Sequence, residues 1–159
     1  MNFFFDANIS FRLANMVAAM CEDFHNVVHI TQHEDFKHNN VYGPTGRLMS
    51  NKTKDLEWMP KLGESGLDWK IISGDMDIID TAHERAMLLA SGLTLFACDH
   101  NWGKIHAHEQ AWKLVKLWEE IVRHAEAPGP ALYRFNAGKR QYIEVIRSGM
   151  RARGGRFQG

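Results

Sequence analysis

Residues 1–8 are Met-Asn-Phe-Phe-Phe-Asp-Ala-Asn, an apolar run followed by one acid. The apolar run over residues 1–5 is too short to form a helix alone, so we interpret it as a buried strand. A single carboxylate, Asp6, ends the run. Ser10 is a suitable helix N-cap, and the apolar spacing after it predicts a helix that ends near Cys21. The chain therefore opens with a strand, an acid at its carboxyl end and a helix.

Short apolar strands and helices alternate along the rest of the chain. The predicted strands cover residues 26–30, 69–73, 93–98 and 132–135, the last as an edge strand, with a short segment at 142–146. The predicted helices cover 53–62, 79–90 and 103–125, and the polar stretch 31–52 is expected to be a loop. This alternation favours an α/β fold, a three-layer α/β/α sandwich with a central, mostly parallel sheet.

Length and composition fit one globular domain. The 159 residues are enough for one hydrophobic core, and the shares of 45% hydrophobic and 24% charged residues are ordinary. There is no apolar run of the roughly 20 residues that span a membrane, and no secretory signal pattern. Cys21 and Cys98 lack CxxC spacing, so we expect a reduced, cytoplasmic protein. We predict a core over about 1–100, a C-terminal helix and short extension over 103–148, and a basic tail over 149–159.

The charges are unevenly distributed. The formal net charge is zero, which argues against a protein that simply coats nucleic acid. Residues 147–156 hold four arginines and no acid. Such a tail either contacts phosphates locally or is a solubilising end, and both alternatives stay open.

Carboxylates follow the ends of several predicted strands. Asp6, Asp75 and Asp99 come just after three of them, and Asp55 lies in the first turn of the helix that follows the long loop. Ligands of open α/β sheets bind beyond these strand ends. Clustered carboxylates repel each other and need cations, and oxygen-only clusters suit Mg²⁺ or Mn²⁺, which promote phosphodiester cleavage. Each acid alone is equally well explained as a turn former or a helix cap; the joint placement of Asp6, Asp55 and Asp75 favours a metal site.

Other site types lack their motifs. The nine histidines show neither HExxH nor Cys/His zinc spacing. No GxGxxG, P-loop or GxSxG sequence is present, which argues against dinucleotide enzymes, NTPases and serine hydrolases.

Three segments resemble PIN-like domains. Residues 3–14, Phe-Phe-Phe-Asp-Ala-Asn-Ile-Ser-Phe-Arg-Leu-Ala, are similar to the opening of that family. Residues 54–58, Lys-Asp-Leu-Glu-Trp, resemble its second acidic motif, and 69–75, Trp-Lys-Ile-Ile-Ser-Gly-Asp, its third. The resemblance covers roughly residues 1–100 and is closest to the group of VapC-type toxins.

This resemblance implies a Mg²⁺- or Mn²⁺-dependent endoribonuclease, the toxin of a type II toxin–antitoxin pair, with RNA as substrate and an antitoxin protein as partner. Asp6, Asp55 and Asp75 would be metal ligands. The fourth acid stays open among Asp77, Asp80 and Asp99. Asp77 and Asp99 are favoured, both as catalytic acids and Asp99 also as a metal ligand. Glu57 in place of Asp55 also stays open.

Three polar residues are candidates for substrate binding. Asn8 either holds a carboxylate or metal-bound water, or caps the first helix. Ser73 either hydrogen-bonds a phosphate or an acid, or simply ends its strand. Arg12 either reaches a phosphate or forms a surface ion pair. A homodimer is also expected from the resemblance and from the stripe of Trp112 and Trp118, although a buried core helix would explain that stripe equally well.

Two alternatives compete with the ribonuclease. One is a PIN-like binding module without catalytic activity, because the fourth acid is uncertain. The other is a Mg²⁺-dependent phosphatase-like enzyme. Such an enzyme would have Asp-x-Asp after its first strand, and Asn8 at the second position counts against it.

Overall fold

The computed structural model of the protein describes residues 1–22, 24–136 and 143–146. The strands are β1 Asn2–Phe5, β2 Asn26–His29, β3 Asn40–Tyr42, β4 Leu48–Asn51, β5 Trp69–Ser73, β6 Thr94–Cys98, β7 Ala131–Phe135 and β8 Ile143–Ile146. The α-helices are α1 Phe11–Cys21, α2 Asp55–Glu64, α3 Asp77–Asp80, α4 Ala82–Ala90 and α5 Ala107–Ala125. The predicted basic tail, 149–159, lies outside the described residues.

A six-stranded sheet forms the middle layer, in the order β2-β1-β5-β6-β7-β8. All its neighbouring strands are parallel except β7 and β8, which are antiparallel. The strand order reverses between β1 and β5, which is where ligands bind in open α/β folds. The predicted mostly parallel sheet with helices on both faces is confirmed.

The three consecutive phenylalanines of β1 connect the sheet to both helical layers. Side chains of a strand alternate between its faces. Phe3 and Phe5 therefore belong to the core under α1 and α5, whereas Phe4 belongs to the opposite core under α2, α3 and α4. All three side chains are fully buried. A strand covered on both faces reads as a continuous apolar run, which is why this segment lacks polar alternation.

The predicted loop over residues 31–52 is wrong in part. It contains a 3₁₀ turn, Lys37–Asn39, and the antiparallel hairpin β3–β4, whose register shifts between Val41 and Tyr42. Both strands are short and only partly buried, so they lack the apolar pattern that marks a strand. Asn51 anchors the hairpin instead, since its buried amide nitrogen donates to the Phe36 carbonyl.

Three other boundaries differ from prediction. The helix expected over 79–90 is two helices, α3 and α4, separated at Thr81, which has an extended backbone. The helix expected from residue 103 begins at Ala107, after a 3₁₀ turn at Trp102–Lys104. The strand expected at the sheet edge, β7, lies between β6 and β8. Local composition does not show which strand pairs beyond it, so that position could not be read from the sequence.

Helix α5 buries only part of the predicted stripe. Leu114, Leu117, Trp118 and Ile121 pack against the sheet. Trp112 remains 46% exposed, so a buried core helix accounts for Trp118 but not for Trp112. No helix within the described ranges has the length and apolarity needed to cross a membrane.

Candidate functional site

The pairing of β1 with β5 brings the first acid beside a serine. Phe5 pairs with Ile72, and the Asp6 amide donates to the Ile72 carbonyl at 3.2 Å. Asp6 and Ser73 therefore follow at matching positions where the two parallel strands end. Both are buried, with Asp6 only 1% exposed. An acid at this depth needs hydrogen-bond donors or a cation to remain charged.

The Ser73 hydroxyl links two of the predicted acids. Its oxygen donates to Asp6 Oδ2 and accepts from the Asp75 amide at 3.0 Å. The hydroxyl has one proton, so its role as donor to Asp6 fixes its orientation. Asp6 Oδ1 accepts from the Asn8 amide at 3.0 Å. Of the alternatives for Ser73, the structure shows the contact with an acid.

Asp75 lies in the turn after β5. Its Oδ1 accepts from the Asp77 amide at 2.7 Å, and its Oδ2 lies 3.5 Å from the donating amide nitrogen of Asn8. A Cβ at Gly74 would lie 2.7 Å from the Asn8 carbonyl oxygen. The absence of a side chain at Gly74 thus permits the close approach of the loop after β1. The backbone amide of Asn8 donates to Asp6, whereas its side-chain amide donates to Asp75; only the second contact is one in which the asparagine side chain holds a carboxylate.

Asp55 is positioned by the core. It begins α2, and its Oδ1 accepts from the Trp58 indole nitrogen at 3.0 Å. Trp58 is fully buried, so the direction of this donor is fixed by packing. Of the pair Asp55 and Glu57, it is Asp55 that lies within electrostatic range of Asp6 and Asp75, whereas Glu57 is exposed.

The carboxylates perturb one another. Burial raises the pKa of Asp6 to about 7; the hydrogen bond from Ser73 opposes this rise, and the charges of Asp55 and Asp75 add to it. Burial also raises the pKa of Asp55 and of Asp75, and charge repulsion adds to both shifts, with Asp77 contributing to each. Mutually raised carboxylate pKa values are typical of a site that binds a cation.

Glu84 is a fifth acid of this group, since it interacts with Asp55, Asp75 and Asp77, and the sequence did not lead us to predict it. It lies in the first turn of α4, and its pKa is raised by burial and by the charges of Asp55, Asp75 and Asp77. The signal was present in Thr81-Ala-His-Glu84, the spacing of a capping box, which marks the true start of α4. With the helix start predicted at residue 79, Glu84 fell in mid-helix.

The remaining candidate acids take different places. Asp77 couples electrostatically to Asp55 and Asp75. Asp80 Oδ2 lies 3.5 Å from His100 Nε2. Asp99 follows β6, where its Oδ1 accepts from the Asn101 amide at 3.1 Å. Asp6 and Asp99 both raise the pKa of the buried Cys98 thiol, after burial itself.

Arg12 stands outside this group. Its guanidinium lies 5.9 Å above the ring of Phe11, and it lines a cavity beside the loop after β1. Within the described residues it forms no ion pair, so the alternative of a surface ion pair is wrong.

The carboxylates of this site suit a hard divalent cation, although they do not lie close enough together to ligate one ion jointly. In the described part of the chain, no three His, Cys, Asp or Glu side chains lie close enough to hold one metal ion together. The coupled group defined by Asp6, Asp55, Asp75, Asp77 and Glu84, here called the acid cluster, is composed of carboxylates alone. Carboxylate oxygens are the ligands that Mg²⁺ and Mn²⁺ prefer.

In a comparison with protein families, the family described as "PIN like domain" matches residues 1–100. This segment runs from β1 through β6 and includes every member of the acid cluster. Comparisons with curated proteins and with solved structures give no match.

Proposed function

The chain belongs to the PIN-like domain family, and on this premise we propose that it is a metal-dependent endoribonuclease that hydrolyses RNA phosphodiester bonds. The observation that carries the proposal is the approach of Asp6, Asp55 and Asp75 to one another beyond the carboxyl ends of adjacent parallel strands. Nuclease activity is common in this family, and this is where an open α/β sheet binds its ligands.

The electrostatics of the acid cluster favour a cation. Burial and repulsion raise the pKa of Asp6 to about 7, which leaves the protein with a buried acid that is costly to ionise. A divalent ion held by Asp6, Asp55 and Asp75 would offset that cost. When bound, Mg²⁺ or Mn²⁺ supplies activation of water and stabilisation of the departing oxygen.

The protein's own groups position these acids. Ser73 and the Asn8 amide keep Asp6 in one orientation by donating to its two oxygens. The Trp58 indole orients Asp55 in the same way. Donors of this kind fix the direction of ligating oxygens before an ion arrives, and their loss weakens metal sites. Asp77, Glu84 and Asp99 are the candidates for the fourth acid.

The biological setting extends the same proposal. A VapC-type toxin of a type II pair would act in the cytoplasm, where its RNA substrate is found, and would be held inactive by an antitoxin protein. A homodimer is consistent with the exposed face of α5, since Trp112 is 46% and Val115 43% exposed. Size-exclusion chromatography with light scattering tests the dimer. Co-purification with the product of a neighbouring small reading frame tests the antitoxin.

Cleavage of RNA by the purified protein tests the activity. Metal-free protein should leave RNA intact, and Mg²⁺ or Mn²⁺ should start cleavage that EDTA stops. Asp6→Asn should abolish cleavage, whereas Asp35→Asn is the matched control, since it makes the same chemical change at an exposed acid outside the acid cluster. Full activity of Asp6→Asn would show that the site is assigned wrongly.

A second candidate, a PIN-like binding module without catalysis, is favoured by one observation. No three potential ligands lie at ligation distance within the described residues. Titration calorimetry with Mn²⁺ separates the two functions: a nuclease site should release or absorb heat that Asp6→Asn removes. A binding module should show no heat that depends on Asp6.

A further inference from the structure

A cavity of about 430 Å³ opens beside the loop that follows β1. It lies between the start of α1 and the β3–β4 hairpin, and its lining begins at Ala7, the residue that follows Asp6. Cavities of about 300 Å³ and larger accommodate small ligands. No member of the acid cluster lines the cavity, but its wall includes the loop that leads from Asp6 to α1.

The polar floor of this cavity is already satisfied by the protein. His29 Nε2 donates to the Ile9 carbonyl at 2.6 Å, and Nδ1 accepts from the Thr31 amide at 3.2 Å. The Asn51 amide nitrogen donates to the carbonyl oxygens of Phe36 and of the Asn40 side chain. Groups with complete hydrogen bonds gain little by turning to a ligand. Recognition therefore depends on the groups at the rim.

Two unpaired arginines stand at that rim. Arg12 comes from α1 and Arg47 from the turn between β3 and β4, and both are exposed. Among the described residues neither guanidinium has an ion-pair or hydrogen-bond partner, and no carboxylate lines the cavity. Two cations without counter-charges, in a protein whose formal net charge is zero, form a local anion-binding surface.

Phe11 adds an aromatic surface to the same cavity. Its ring is partly exposed and carries the Arg12 guanidinium above it. Cationic groups together with an aromatic face are the combination that binds single-stranded nucleic acid, because phosphates pair with guanidinium groups and unpaired bases stack on rings. An acidic peptide would use the arginines but would leave the ring without a role.

We propose that this cavity binds the single-stranded RNA segment adjacent to the scissile phosphate, with Arg12 and Arg47 on backbone phosphates and Phe11 stacked on one base. The inference deepens the proposed function and rests on it for the identity of the scissile bond. The β3–β4 hairpin, which carries Arg47, acts as one wall of the substrate channel. Affinity for RNA then depends on the cavity, and cleavage depends on the acid cluster.

Fluorescence anisotropy tests binding apart from cleavage. A short fluorescein-labelled oligouridine is titrated with the full chain in EDTA, so that no cleavage occurs. Arg12→Gln and Arg47→Gln should each weaken binding about fivefold to tenfold and lower the slope of log K against log salt by about 0.7. Phe11→Leu should weaken binding without changing that slope, because stacking releases no counterions. Arg123→Gln changes an exposed arginine of α5. It is the matched control and should bind oligouridine as the parent does.

The outcomes separate the two proposals. If the arginine variants lose affinity while the parent cuts no RNA under any metal, the cavity assignment stands and the nuclease proposal fails. If the parent cuts RNA and both arginine variants bind oligouridine with unchanged affinity and salt slope, the cavity assignment is overturned. Binding of poly-glutamate, but not oligouridine, at the arginines would also overturn it and would point to an acidic protein partner. Thermal melts confirm that each variant is folded.

Discussion

Replacement of Asp6 by asparagine should stabilise the metal-free protein at alkaline pH. Asp6 is 1% exposed, and its pKa is raised from 3.8 to about 7, chiefly by burial. Above about pH 4 the unfolded chain loses this proton, whereas the folded protein retains it until about pH 7. The folded state therefore binds more protons over that interval, and stability falls as pH rises through it. The amide of the Asp6→Asn variant would remain neutral throughout.

The size of the effect follows from the shift. Each pKa unit corresponds to about 1.4 kcal/mol. Between about pH 5 and pH 8 the contribution of Asp6 to the free energy of unfolding should fall by about 3 kcal/mol relative to the variant. In a chain of this length, 1 kcal/mol moves the melting temperature by about 2–4 °C, so the difference between variant and wild type should grow by about 6–12 °C at most.

Differential scanning fluorimetry in EDTA measures this difference. Wild type, Asp6→Asn and the control Asp35→Asn are melted from about pH 5 to pH 8 at constant ionic strength. Mn²⁺ is then added at the upper end of this range. An ion present at about 100 times its Kd stabilises the folded state by about 2.7 kcal/mol, so it should raise the melting temperature of wild type and of the control, and leave Asp6→Asn unchanged.

A difference in melting temperature between wild type and Asp6→Asn that stays constant across the whole pH range would contradict the raised pKa of Asp6. That result would mean that Asp6 ionises in the folded protein as easily as in the unfolded chain. A rise in the melting temperature of Asp6→Asn with Mn²⁺ equal to that of wild type would separately remove Asp6 from the metal site.

Three further tests address the surroundings of the acids. Ser73→Ala removes a hydrogen bond that lowers the pKa of its acid partner, so Mn²⁺ affinity measured by calorimetry should fall about 10- to 100-fold; unchanged affinity would contradict a positioning role. Gly74→Ala places a Cβ 2.7 Å from the Asn8 carbonyl oxygen, so urea unfolding should show a loss of about 1–3 kcal/mol, and a neutral result would mean that the loop moves freely. Glu84→Gln and Asp99→Asn compare two candidates for the fourth acid in the RNA cleavage assay. Glu84→Gln should reduce the cleavage rate more, because three acids of the cluster raise the pKa of Glu84. A larger loss of rate with Asp99→Asn would instead favour Asp99 as the fourth acid.

The three layers of this fold could be predicted because strands that are buried on both faces have a recognisable, mainly apolar sequence. Strands covered on both faces, such as Trp69–Ser73 and Thr94–Cys98, are mainly apolar, with Lys70, Ser73 and Thr94 as the buried exceptions, and their bounds were close to those expected. The hairpin Asn40–Asn51 could not be predicted in the same way. Its strands are held by side-chain amides and exposed backbone pairing, which leave no hydrophobic period.

The site was predictable as far as strand ends could be located. Asp6 and Asp75 follow buried strands, so the parallel sheet alone was enough to bring them to one edge. The position of Glu84 depends on the break at Thr81 that separates α4 from α3. The spacing of Thr81 and Glu84 marks this break, but the prediction of one helix over residues 79–90 ran across it. Trp102, which comes just past Asp99, is only 3% exposed and packs edge-on against Phe135, so its indole ring belongs to the core.

Phe3, Phe4 and Phe5 are divided between two cores, and this division determines how β1 can unfold. A strand that is packed into both layers cannot be released by loosening either layer alone. The Asp6 amide, bonded to the Ile72 carbonyl, should therefore exchange its hydrogen with solvent only when the whole sheet unfolds. Asp75 lies in the turn after β5 and Glu84 lies in α4, both outside the sheet, so these two side chains can move at a lower cost in free energy. The site thus contains one acid, Asp6, that is held by the sheet, and neighbouring acids that can move. A regulator that acts through local fluctuation could therefore change the positions of the neighbouring acids only.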